Sequence, residues 1–154
     1  MYEYIRRELC KGGYNHYEIS NFAKEGRESR HNLNYWQNED YLGFGLCAST
    51  KVGNRRFTKS ADFEEYISSY KLAEDYVMDK NEAMDEFIIL GLRVINSGVD
   101  KNKFYQTFGV SVDERYGSII SEVAPYVINT PNALKIRPEA SLVSNSIMCR
   151  FMLD

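Results

Sequence analysis

The chain has 154 residues, enough for one ordinary domain or two small pieces. Its net charge of −3 comes from acidic and basic residues scattered without long runs, which leaves no clustered basic face for nucleic acid. No apolar run approaches the roughly 20 residues that span a bilayer, and Met1-Tyr2-Glu3-Tyr4-Ile5-Arg6-Arg7 lacks the basic-then-apolar pattern of a signal peptide, so no transmembrane segment and a cytoplasmic location are expected.

Residues Tyr2 to Lys11 read as an amphipathic helix, with Ile5 and Leu9 four apart and Gly12-Gly13 as its stop. Asn15 to Ile19 can extend as a strand. Ser20 to Asn38 is rich in polar and turn-forming residues and reads as one long loop, a length that is usually functional or disordered. Tyr41 to Val52 alternates glycine with apolar residues (Leu42, Gly43, Phe44, Gly45, Leu46), which suits a buried strand approached closely by a ligand or another backbone. Gly53-Asn54 signals a turn, and Arg55 to Thr58 a returning strand.

A junction is expected near Ser60, dividing the chain into segments 1–59 and 60–154, the second mainly helical. Asp62 with Glu65 makes a capping arrangement for a helix carrying Phe63, Tyr66, Ile67 and Tyr70. The next helix, about Asn81 to Ile95, is apolar around much of its circumference and is expected to be central, with Gly98 as its stop. Asp100 caps a short helix holding Phe104 and Phe108. Ser111 and Glu114 form a capping box for a further helix, with Ile119, Ile120 and Val123 inward. Tyr126–Ile128 and Ala133–Ile136 flank Asn129-Thr130-Pro131-Asn132 as a hairpin, and a last helix from about Ser141 to Met152 buries Leu142, Val143, Ile147 and Phe151. Helix, turn, helix, hairpin is the order of a winged helix. Its helices are not basic, since Lys101, Lys103 and Arg115 are offset by Asp113, Glu114 and Glu122, so it reads as a packing architecture and no nucleic acid is expected as a partner.

Cys10, Cys47 and Cys149 are far apart and form no CxxC pair. An iron–sulfur site wraps closely spaced thiolates around one cluster, so no metal site is expected among them, and they read as small residues in packed positions. Glu86 and Arg93 lie seven apart and share a helix face. They read as an intramolecular salt bridge or, functionally, as an interdomain contact or a site for the carboxylates of a ligand. His16 falls in the predicted strand, where a surface or satisfied core role suits it better than metal binding.

Two stretches stand apart: Tyr14-Asn15-His16-Tyr17-Glu18-Ile19-Ser20-Asn21-Phe22-Ala23, and Ser29-Arg30-His31-Asn32-Leu33-Asn34-Tyr35-Trp36, followed by Tyr41-Leu42-Gly43-Phe44-Gly45. Together they resemble the family of oxygen-independent coproporphyrinogen III oxidases and their haem-chaperone relatives, which are radical S-adenosylmethionine (SAM) proteins. Glu86-Phe87-Ile88-Ile89-Leu90-Gly91-Leu92-Arg93, then Gly98-Val99-Asp100, resembles the family's C-terminal domain, as does Leu142-Val143-Ser144-Asn145. The resemblance spans nearly the whole chain. The pattern His31-Asn32-x-x-Tyr35-Trp36 is similar to the haem-chaperone (HemW) branch rather than the oxidase (HemN) branch. Leu46 to Thr50 departs from the family, which tends to carry a histidine there, and Lys59 and Ala140 depart as well.

The resemblance implies an α+β chain: the C-terminal remnant of a partial β/α radical SAM barrel, then a mainly helical, winged-helix-like domain with a small hairpin. It implies that SAM and a four-iron four-sulfur cluster bind to an upstream radical SAM domain at the C-terminal ends of its strands. The cysteine pattern CxxxCxxC that holds the cluster is absent from this chain, and no catalytic residue is expected in it. The strand at Tyr17 to Ile19 would be the last of that barrel, with Glu18 and Asn21 near its mouth and Tyr17 or Ile19 lining the SAM pocket. A Glu18–Arg30 ion pair is the structural alternative. In the chaperone branch the histidine is associated with haem, and neutral imidazole is a common axial ligand to haem iron. Tyr35 and Trp36 offer flat faces beside a porphyrin, and Asn32 a hydrogen bond. The structural alternative is a His31 that satisfies a backbone carbonyl and a Trp36 that anchors the loop. Three functions follow: part of a haem chaperone, part of a genuine oxidase that converts coproporphyrinogen III to protoporphyrinogen IX, or a non-catalytic lid or interaction domain. Haem or porphyrin and the upstream domain are the expected partners, with a homodimer through the exposed barrel edge.

Overall fold

A computed structural model describes residues 1–153 of the chain. Helix α1 (Tyr2–Lys11) ends at Gly12, as its spacing predicts, and buries none of its residues. Tyr2 ties it down: its hydroxyl donates to the Ile19 carbonyl at 3.1 Å. Strands β1 (Asn15–Glu18) and β2 (Asn21–Ala23) form an antiparallel hairpin with an irregularity between His16 and Glu18. Helix α2 (Arg30–Trp36) follows, capped by Ser29, whose hydroxyl accepts the Asn32 N–H at 3.3 Å. The stretch expected as one long loop therefore holds a strand and a two-turn helix. Asparagine and histidine are weak helix formers, and no residue of α2 is fully buried, so no apolar stripe marked it in the sequence.

Strands β3 (Ser49–Val52), β4 (Arg55–Lys59) and β5 (Leu72–Val77) form an antiparallel sheet in the order β3-β4-β5. The strand expected over Tyr41–Val52 begins only at Ser49. Tyr41 keeps one bridge to Lys51, and the chain between them arches into solvent, leaving Phe44 82% exposed. Two glycines explain the arch. Gly43 sits so close to the Ser49 carbonyl that a Cβ would collide with it, and Gly45 takes φ 108°, where a side chain is strained. Helix α3 (Phe63–Ser68) starts at Asp62, which accepts the Glu65 N–H at 2.8 Å. Strand β5 has no counterpart in the sequence reading. Only Leu72 of its residues is even partly buried, so no alternation is written into it. It is held by the β4 ladder and by Asp75, which takes two 2.8 Å bonds from the Arg55 guanidinium. The sheet thus runs across the junction expected near Ser60.

Helix α4 (Lys80–Gly91) opens with a reciprocal capping box between Asp79 and Glu82. It is central, as expected, but stops at Gly91 rather than running to Ile95. The backbone beyond is claimed by β1: Ile19 N–H donates to the Arg93 carbonyl and Ile95 N–H to the Tyr17 carbonyl, each at 3.0 Å. Strand β6 (Val99–Asp100), helices α5 (Lys101–Phe108) and α6 (Val112–Glu122), and strands β7 (Val127–Asn129) and β8 (Ala133–Ile136) complete a winged-helix-like order, with the sheet ordered β6-β8-β7. Asp100 caps α5 as read, and Ser111 accepts the Glu114 N–H at 3.1 Å. Helix α7 (Ser144–Cys149) is shorter than expected and follows a 3₁₀ turn. That turn leaves Leu142 and Val143 exposed while Ile147 and Phe151 are buried. No barrel closes in this mixed α+β chain.

One apolar core lies between α4, α5, α6, α7 and the β6-β8-β7 sheet, with Ile88, Leu92, Phe104, Tyr116, Leu134 and Phe151 fully buried. A fully buried side chain of this size contributes about 1.5–3 kcal/mol by the hydrophobic effect. The core draws its residues from Met84 onward, and before that point only Ile19 packs against it. The β1–β2 hairpin, α2 and the β3-β4-β5 sheet therefore stand against this core rather than enclosing a large one of their own.

Candidate functional site

Helix α2 separates the residues of the His-Asn-x-x-Tyr-Trp pattern by its own geometry. His31 and Tyr35 are four apart and share a face; their rings meet edge-on at 4.8 Å and 87°. Tyr35 in turn meets Tyr41 at 4.6 Å. His31 itself is exposed, and among the described residues no hydrogen bond occupies either of its ring nitrogens. The backbone carbonyl suggested as its structural partner is therefore not engaged. Asn32 is half-buried beside the Ser29 cap. Trp36 turns toward α4, where the Arg93 guanidinium lies 4.2 Å above the centre of its ring. Trp36 anchors the helix, then, and does not share one open surface with Tyr35.

The strand-end group behaves differently. Tyr17 is buried, and its hydroxyl accepts the Ser29 N–H at 3.3 Å. Glu18 is wholly buried: one carboxylate oxygen accepts the Ser20 N–H at 3.1 Å and the other accepts the Asn21 side-chain amide. The Glu18–Arg30 ion pair does not form, because these nearer donors already use both oxygens. Ile19 is half-buried and Asn21 exposed. His16 is 7% exposed and stacked on Phe22 at 4.4 Å. Burial pushes its imidazole below the ordinary value of 6.5, against the bond to the Ile19 carbonyl, which raises it.

The Glu86–Arg93 salt bridge is absent as well. Glu86 pairs with Arg56 of β4 at 2.8 Å, and Arg93 stacks on Trp36. The three cysteines are free and exposed rather than packed: Cys10 on an α1 that buries nothing, Cys47 in the arched loop, Cys149 at the end of α7. Among the described residues no three His, Cys, Asp or Glu side chains are grouped as metal ligands. No helix of the described residues is long and apolar enough to cross a membrane.

A cavity of about 580 Å³ opens between the end of α2, α4 and the start of α5. Trp36, Phe87 and Val99 supply apolar walls, with Glu39, Lys103 and Asn132 at polar positions. The Lys103 ammonium bridges its rim, donating to Glu39 at 2.6 Å and to the Gln37 carbonyl at 3.1 Å. No motif marks this cavity in the chain, because its walls come from segments about sixty residues apart that only the fold joins.

Comparison with known proteins matches residues 78–127 to the HemN C-terminal domain. The whole chain is similar to the "Heme chaperone HemW" of Lactococcus lactis subsp. lactis (strain IL1403), 35% identical over 100% of this chain and 42% of the relative. It is similar to the protein of the same name from Bacillus subtilis (strain 168), 32% identical over 99% of this chain and 42% of the relative. The chain thus spans well under half the length of these relatives. Among solved structures it resembles the one titled "Coproporphyrinogen III oxidase (HemN) from Escherichia coli is a Radical SAM enzyme". That match has a TM-score of 0.73 and covers 97% of this chain and 39% of the other; at 13% identity it establishes the shared fold.

Proposed function

Since the chain belongs to the HemN/HemW family and corresponds to its C-terminal portion, we propose that it supplies the haem-docking surface of a haem chaperone, with His31 meeting the iron. One observation carries this reading: of the two histidines in the chain, His16 is buried and stacked, while His31 is exposed with both ring nitrogens free. A neutral imidazole offers a lone pair to haem iron. Tyr35, edge-on at 4.8 Å, restricts the ring's rotation, and the Ser29 cap fixes the first turn of the helix that carries it. Trp36, wedged beneath Arg93, holds that helix against α4. Haem is cargo here, received and passed on.

SAM and a four-iron four-sulfur cluster belong, on this reading, to an upstream radical SAM domain of a longer cytoplasmic protein. The cysteines of this chain do not fit a cluster, since they sit exposed on three separate elements. We read Tyr17, Glu18, Ile19 and Asn21 as the strand end that closes the SAM pocket. Backbone groups and the exposed Asn21 would make the contact, because both Glu18 oxygens are already engaged. We divide the chain into a barrel-derived unit, up to β5, and a helical unit from α4 onward. A genuine oxidase is the competing reading and rests on shared fold alone.

Haemin titrated into the chain and followed in the Soret band tests the proposal. The wild type is expected to saturate with a shifted band and His31→Ala to lose that shift. Identical titrations would overturn the role of His31. Anaerobic turnover of coproporphyrinogen III by the longer protein would favour the oxidase instead.

A further inference from the structure

Among the described residues two lysines are buried, and the fold treats them differently. Lys101 is held by Asp113 at 2.7 Å. Lys51, on β3 and 5% exposed, has no ion-pair partner among the described residues, and its ammonium donates to the Asn38 carbonyl at 3.2 Å, the long end of such bonds. The register of the sheet explains the shortage. Lys51 stands directly across from Arg56 of β4, so two cations face each other, and the nearby acid, Glu86, is bound to Arg56 at 2.8 Å. Glu39 and Asp40 are exposed to water and bound elsewhere, Glu39 to Lys103 at 2.6 Å and Asp40 to the Gly53 N–H at 2.8 Å. A buried charge is costly until something pairs with it. Burial pulls the Lys51 ammonium below its ordinary 10.5; Glu86, Asp40 and Glu39 pull it back up, and Arg56 adds to the fall.

Lys51 lines a cavity of about 280 Å³, which shares Glu39, Phe87 and Lys103 with the larger one. Its apolar wall is made by Met78, Ala83, Phe87 and Phe108, the first three buried. The volume falls just below the roughly 300–1,000 Å³ of drug-sized ligand pockets, so its occupant is small. An apolar wall beside a buried cation without a counter-ion matches a molecule with an apolar body and one negative end. Phosphate or a dicarboxylate would set further charge against Met78 and Phe87. We propose that this cavity binds a short monocarboxylate, aliphatic or aromatic, whose carboxylate pairs with Lys51 while its body lies on Met78 and Phe87. The site is separate from the haem-docking reading and does not depend on it, since His31 lines neither cavity.

Hexanoate and benzoate are the probes, with hexanamide and benzamide as uncharged counterparts of similar shape, titrated by calorimetry into the wild-type chain and Lys51→Met. The wild type is expected to bind at least one acid about tenfold more tightly than its amide, the scale of a charge-assisted hydrogen bond. Lys51→Met, close in shape and uncharged, is expected to lose that preference. It should also melt no lower than the wild type, since a buried ion without a counter-ion is removed. NMR of the chain carrying ¹³C-labelled lysine adds a readout that a purely structural lysine would not move. The Lys51 methylene beside the ammonium, identified by its loss in Lys51→Met, is expected to titrate at higher pH when the acid saturates the site, because a bound carboxylate favours the charged form. An unmoved midpoint at saturation overturns the proposal. So does a wild type that binds neither acid or binds acid and amide alike, whether or not Lys51→Met folds. A Lys51→Met variant that keeps the full preference for the acid removes Lys51 from the site and overturns it as well.

Discussion

Asp85 is the residue on which the helical unit closes. It is 7% exposed, and its carboxylate accepts three donors: the Tyr116 hydroxyl at 2.5 Å, the Arg115 guanidinium at 3.3 Å and the Leu153 N–H at 2.8 Å. Burial, and next the bond to Asp85, push the Tyr116 hydroxyl far above its ordinary value, so it stays a donor at any physiological pH. Asp85→Ala strands these donors together and is expected to cost about 3 kcal/mol, read by urea denaturation, while Tyr116→Phe costs about 1 kcal/mol. His16 supplies a pH dependence of known sign. Its folded imidazole lies below the ordinary 6.5 because of burial, so the unfolded chain takes up the proton first. Its contribution is complete above 6.5 and is lost as pH falls through the lower folded value. Asp113, held down chiefly by its bond to the Lys101 ammonium, loses its contribution only below its ordinary 3.8. The melting temperature is therefore expected to drop as pH falls from about 6.5 toward 5 in the wild type and to change less in His16→Phe. Parallel profiles would remove His16 from the account.

Among elements, those with local chemistry were legible. Ile5 and Leu9 with Gly12-Gly13 define α1, and Asp62, Asp100 and Ser111 each cap the helix they precede. Asn129 to Asn132 turns β7 into β8. Elements that exist through a neighbour were not. Strand β5 depends on the β4 ladder, and α4 stops where β1 claims the backbone of Arg93 and Ile95. The same limit governs the site. The His-Asn-x-x-Tyr-Trp pattern could be read from the chain, whereas the Trp36–Arg93 stack joins α2 to the segment that follows α4. Gly98, which the sequence suggests as the stop of α4, serves the connection into β6. It takes φ 68°, and a Cβ there would collide with the Leu134 carbonyl and the Lys135 side chain. Gly98→Ala is expected to cost about 2 kcal/mol or more by calorimetry, from strain and collision together. A neutral result would show that this connection can shift without disturbing β8.

At the scale of the molecule, the core and the candidate docking surface lie in different parts. The core is built from residues from Met84 onward, and α2 is held beside it by the stack of Trp36 under Arg93. The preceding sheet leaves Val77 69% exposed, and Tyr70, just before β5, is 85% exposed, with β5 along an edge of that sheet. Exposed edge strands pair with other chains, so sedimentation is expected to show concentration-dependent dimers; a strictly monomeric profile at high concentration would count against this. The central claim is that this chain docks haem through the exposed histidine of α2. Resonance Raman spectra of the ferrous haem-loaded chain, with and without ¹⁵N-labelled histidine, test it most directly. The account predicts an iron–imidazole stretch that shifts with the label and vanishes in His31→Ala. A stretch that survives the substitution, or one indifferent to the label, would contradict it.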